Sequence, residues 1–148
     1  MAVPTGSGTE VIKAAHFDDV DATQTLIFGA QHHIYTVLST ICFCVSVGAA
    51  ADIAVLGILG NGSHDGGTAH FMKICQFNLA ANETFVWNDK FSFFGFETAA
   101  FTEPLDSLAE QTGLATQNSA VPQKYQYQCT DADVHYDVHV SFIDQDWS

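Results

Sequence analysis

Polar and apolar residues alternate most cleanly near the end of the chain. Val134, Tyr136, Val138, Val140 and Phe142 fall on one face, and His135, Asp137, His139 and Ser141 on the other. A period of two with one apolar side is the mark of a strand that buries one face and wets the other. Residues 124–129 repeat it, with Tyr125, Tyr127 and Cys129 opposite Lys124, Gln126 and Gln128. Residues 40–47 do so again, with Ile41, Phe43, Val45 and Val47 on one side and Thr40, Cys42, Cys44 and Ser46 on the other. A turn at 48–51 then leads into a partner strand at 52–59. Its near-continuous apolar run predicts burial on both faces, and Gly57 inside it marks a bulge or a close approach.

Residues 71–77, 83–87 and 91–96 read as three strands joined by polar turns at 78–82 and 88–89, which predicts a β-meander. Shorter strands are expected at 25–28 and 34–38. Residues 10–17 fit either a strand or a short helix. Residues 61–67 (NGSHDGG) form a glycine-rich hairpin loop without the lysine of a phosphate loop. The longest irregular section is 98–122, where LDSLAEQTG predicts one or two helical turns. Residues 144–148 read as an acidic tail. The fold expected is all-β: a single antiparallel β-sandwich, jelly-roll-like, of about 8–10 strands. An extended arm at 1–9 precedes a sandwich domain at 10–148, and residues 98–122 are an irregular insertion.

Charge narrows the function. The 148 residues carry 17 acidic side chains against four lysines, Lys13, Lys73, Lys90 and Lys124, and no arginine, for a net charge of −13. Nucleic acid and anionic membrane surfaces are poor partners for such a chain. Only 14% of residues are charged. A surface so poor in Lys and Glu resembles one partly covered by partners. Neither a signal peptide nor a spanning segment is expected: the apolar-rich run at 40–59 is broken by Ser46, Gly48, Asp52 and Gly57. Synthesis in a cytosol is the consequence, with Cys42, Cys44, Cys75 and Cys129 as free, buried thiols.

Candidate chemistry is thin. Cys42 and Cys44, even with His32 and His33, lack zinc-site spacing. His135, Asp137 and His139 share the outer face of the last strand, but alternate residues on a strand stand about 6–7 Å apart, so a solvated polar face is the expectation. If that face lines an interface, protonation near pH 6 would alter assembly. The acidic clusters Asp18/Asp19/Asp21, Asp131/Asp133 and Asp144/Asp146 lack calcium-loop spacing and read as turns. No nucleophile elbow occurs. The expectation is no enzyme: no catalytic residue, no cofactor and no metal. The phenylalanines of residues 71–96 read as core and interface aromatics.

Two stretches carry a resemblance. FNLAANETFVWNDKF at 77–91, with Leu79 to Thr84 bridging two strands, and VHYDVHVSF at 134–142 resemble small β-sandwich structural proteins of tailed bacteriophage virions. The likeness covers residues 34–96 and the last strand. It implies a capsid decoration (cement) protein, commonly a homotrimer on the capsid surface, whose partners are itself and the major capsid protein. It also implies synthesis in the host bacterial cytoplasm. A tail or fibre accessory is the related alternative. Such proteins work through surfaces, and the expected contact residues are Met1, Val3 and Pro4 on the arm, Asn61, His64 and Asp65 in the glycine loop, and Phe101, Pro104, Leu105 and Leu108 in the insertion. A carbohydrate-binding module is the first rival, with Trp87, Tyr125, Tyr127 and Trp147 as rim aromatics. A cupin-type enzyme with histidines inside the barrel is the second.

Overall fold

The computed structural model describes residues 9–48, 53–61, 69–97, 106–109, 111–112 and 121–146, and only the backbone of Asn61, Ala69, Glu97 and Val121. Among the described residues eleven strands run in chain order: β1 Thr9–Val20, β2 Gln24–Phe28, β3 His33–Ser46, β4 Ala54–Asn61, β5 Ala69–Phe77, β6 Thr84–Trp87, β7 Phe91–Phe94, β8 Phe96–Glu97, β9 Val121–Pro122, β10 Lys124–Cys129 and β11 His135–Asp146. They form two antiparallel sheets. The first has the order β1-β11-β3-β6, with β7 beside the other half of β3; the second has the order β2-β10-β4-β5. Strands β8 and β9 make a separate ribbon. Among the described residues the chain crosses between the two layers at most connections, and within those two layers β4 and β5 are the consecutive strands that pair as a hairpin. This is the winding of a jelly roll, a double-sheet β-sandwich.

That winding corrects two expectations. Residues 71–96 are not a meander. Strand β5 pairs with β4 in the second sheet, whereas β6 and β7 pair with β3 in the first. The polar turn after β5 is a corner between layers. Phe77, at the end of β5, stacks on Phe85 of β6 with centroids 4.2 Å apart, so the two strands meet face to face through the core. The corner is moored to β3: the Asn82 amide donates to the Cys44 carbonyl at 2.7 Å, and the Cys44 amide donates to the Glu83 carbonyl at 2.9 Å. Asn82 takes a positive φ of 69°, which asparagine tolerates. Likewise β4 is not the partner of β3. It lies in the opposite sheet, between β10 and β5.

Strand β3 also spans both of the strands expected at 34–38 and 40–47. Its inward side chains at 40, 42 and 44 are Thr, Cys and Cys, fully buried, while Ile41 and Val45 face out. Volume explains the choice. Tyr125, Tyr127 and Tyr136 fill the centre of the sandwich, all fully buried. Small side chains opposite them complete a close-packed interior. Thr40 adds a buried hydrogen bond to the Tyr125 hydroxyl at 2.7 Å. Gly57 behaves as expected: the β4–β5 register shifts at Leu56/Gly57, and a Cβ there would collide with the Phe71 ring and the Met72 carbonyl. Residues 10–17 belong to strand β1 rather than a helix.

Candidate functional site

Strand β11 alternates as read, with Val134, Tyr136, Val138, Val140 and Phe142 buried. The alternation does not stop there. Residue 144 has the same parity, and Asp144 is 6% exposed on the inner side of the sheet. The acidic tail expected at 144–148 is therefore, as far as Asp146, the last part of β11. A carboxylate so buried needs partners. Lys13 Nζ of β1 lies 2.7 Å from Asp144 Oδ2, and His33 Nδ1 of β3 lies 2.5 Å from Asp144 Oδ1. Asp144 thus ties the three neighbouring strands β1, β11 and β3. His33 Nε2 stands 3.7 Å from Asp146 Oδ2, and its ring stacks on Tyr35 at 5.8 Å. Burial pushes the Tyr35 hydroxyl above its ordinary pKa, and the Asp144 charge pushes it further. The signal for this cluster was present: carrying the period of two one step past Phe142 places Asp144 inside.

A second polar cluster occupies the outer face of the same seam. His16 of β1 and His139 of β11 are cross-strand partners with rings 5.8 Å apart. His16 Nε2 lies 2.6 Å from Asp18 Oδ1. One rung further, His135 Nδ1 lies 2.7 Å from Asp19 Oδ1, and the Asp19 amide donates to Asp137 Oδ1 at 3.0 Å. Asp19 holds a positive φ of 55° where the β1–β11 register shifts. The acidic turn expected at Asp18 and Asp19 is thus the end of β1, turned back onto β11. His135, Asp137 and His139 do share an outer face, as read, but their partners come from β1, which the spacing within β11 could not reveal.

The interior holds thiols and phenols in their neutral forms. Burial raises the Cys42 pKa to about 12, with Cys75 nearby adding to it. Burial raises Tyr136 to about 12 in the same way, with Cys44 nearby. Tyr125 and Tyr127 are pushed up by burial too. All four cysteines are free. Two of the rim aromatics a carbohydrate-binding module would need, Tyr125 and Tyr127, are therefore fully buried, and Trp87 packs against the core. Trp147 lies outside the described residues. Among the described residues no histidine cluster of the cupin kind forms: His16, His135 and His139 face out, and His33 is turned to Asp144.

Of the expected contact residues, Met1, Val3, Pro4, His64, Asp65, Phe101, Pro104 and Leu105 lie outside the described residues. Asn61 ends β4, its Cα opposite Ala69. Leu108 is 79% exposed on a helical turn in which the Gln111 amide donates to the Ser107 carbonyl at 3.1 Å. Exposed apolar residues that sequence reasoning missed lie on the outer face of the first sheet. Ile41 of β3, 37% exposed, pairs across to Val86 of β6, 51% exposed, with Val45 and Val47 further along. No helix of the described residues is long and apolar enough to cross a membrane.

No known family matches this chain, and no curated protein matches it. One solved structure, from work on Bacillus endospore appendages that form disulfide-linked pili, is similar over 100% of this chain and 96% of its own, at 10% identity and a TM-score of 0.37. A likeness that slight carries no argument about function.

Proposed function

We propose that this chain is a structural subunit that works through its outer surfaces, and in particular a decoration protein on the capsid of a tailed bacteriophage. One observation carries the reading. The outer face of the first sheet exposes Ile41 and Val45 of β3 and Val86 of β6, the partner of Ile41, with exposed Val47 just past the end of β3, on strands whose inner side is already packed. Contiguous apolar surface on a folded domain is surface for a partner. Few surface charges and a jelly-roll scaffold, an architecture shared by viral capsid domains, support the same reading. In it, copies assemble as a homotrimer and bridge neighbouring subunits of the major capsid protein. The charge of −13 keeps free copies apart until they meet that surface.

The test pairs sedimentation with substitution. Parent protein should co-sediment with undecorated capsids of its phage, and the double variant Ile41→Asp/Val86→Asp should stay in the supernatant with unchanged far-UV circular dichroism. Co-sedimentation of the variant at parent levels removes the face from the proposal. A parent that never binds capsids removes the proposal itself.

A further inference from the structure

The pairing of β1 with β11 brings two imidazoles, His16 and His139, together on one face of the sheet. The two rings face each other across antiparallel strands, on the wet side of the sheet, with centroids 5.8 Å apart and planes 49° apart. Two imidazoles that share one ion through metal–nitrogen bonds of about 2.0–2.1 Å hold their centroids about 5–6 Å apart. The backbone ladder fixes that spacing before any ion arrives.

The surroundings favour a cation. Asp18 lies on the same strand and face as His16, with Oδ1 2.6 Å from Nε2. When that nitrogen donates to the carboxylate, the other ring nitrogen of His16 keeps its lone pair. A carboxylate that fixes the tautomer of a ligating histidine is the usual outer support of a metal site. Asp137 and Asp19 follow on the next rung, joined through the Asp19 amide. The lysine nearest in sequence, Lys13, is turned to the inner side by Asp144. The cross-strand partner of His139 on β3 is Ile41, and its same-face neighbours on β11 are Asp137 and Ser141, none a fixed cation.

We propose that His16 and His139 chelate a divalent first-row transition ion on the outer face of the first sheet, stapling edge strand β1 to β11. Nitrogen donors select copper, nickel or zinc over magnesium or calcium, with copper bound most tightly. Among the described residues no three His, Cys, Asp or Glu side chains already converge on one point. The pair is thus a two-toothed site whose other positions are filled by water or by Asp18 swinging from His16.

The experiment is calorimetric titration of the metal-stripped full chain with CuCl2 and, separately, ZnCl2. The variants are His16→Gln and His139→Gln, with His70→Gln, a histidine of β5 in the other sheet, as control. The parent should bind one ion per chain. Each seam variant should bind at least about tenfold more weakly, a step of about 1.4 kcal/mol, while the control keeps the parent affinity. Electron paramagnetic resonance of the copper form should show two nitrogen donors in the parent and one in each seam variant. Parent-like affinity in either seam variant, or an equal loss in the His70 control, overturns the assignment.

Discussion

Strands β1 and β11 are each 12 residues long and lie side by side in the first sheet, yet they are held by different forces. Strand β11 sits between β1 and β3, and alternate side chains from Tyr136 to Asp144 are buried. Among the described residues strand β1 has a partner on one side only, and between Glu10 and Ala14 it is exposed on both faces; Ile12 is 76% exposed. Apolar burial, at about 25 cal/mol per Å², holds the inner strand. Strand β1 buries little, so besides its backbone ladder it depends on side-chain tethers: Lys13 to Asp144 at one end and Asp19 to His135 and Asp137 at the other. The contrast teaches that equal strand length says nothing about equal stability. The edge strand should open first, as a local event, while the interior still holds.

Tyr136→Ala removes a fully buried ring beneath β11 and should cost about 3–5 kcal/mol in urea unfolding. A loss below about 1 kcal/mol would mean that the interior is not where the stability lies. Alkali attacks the same interior through Cys42, the cross-strand neighbour of Val138. Its pKa is raised to about 12, so above about pH 9 the folded chain keeps a proton that the unfolded chain has released. That stabilisation is complete below about pH 8.5 and is lost as pH rises toward 12, the loss reaching about 2–3 kcal/mol by pH 11. A Cys42→Ala variant should show a flatter decline in melting temperature between pH 9 and 11; an unchanged slope would place the alkaline loss elsewhere.

The tethers give the smaller effects. Asp144→Asn weakens two charge-assisted bonds at once and should cost about 1–2 kcal/mol. Hydrogen exchange should locate that loss, with faster exchange along β1 and little change in β10. Ile12→Ala, at an exposed position of the same strand, should stay within about 0.5 kcal/mol. If it matched Asp144→Asn, the tether account of β1 would be wrong.

Alternation placed β10 and most of β11, but it missed that β11 runs on to Asp146 and that Gln126 of β10 is buried, while Gly57 announced its bulge. Sheet membership was not legible. A six-residue polar turn joins strands within a layer or between layers with the same local chemistry, and the stacking of Phe77 on Phe85 decides which. The orientation of β3 was hidden for a related reason. Hydropathy ranks Ile41 above Cys42, but the volume left beside three tyrosines admits only the smaller side chain. The polar seam lay further out of reach, because His16 and His139 are 123 positions apart and meet only through the pairing of the first strand with the last.

The small ribbon of β8 and β9 has a practical meaning. Glu97 and Val121 are backbone partners, and just below them the Gln123 amide donates to the Gly95 carbonyl at 2.8 Å while the Gly29 amide donates to the Gln123 carbonyl at 2.8 Å. Neither Gly29 nor Gly95 has room for a Cβ. The two ends of the intervening segment are clasped together by backbone hydrogen bonds. Each doubling of a closed loop costs only about 0.6 kcal/mol. Because the clasp sets the distance between Glu97 and Val121, a short peptide added between them is expected to leave the sandwich folded, which makes this junction a place to attach a passenger.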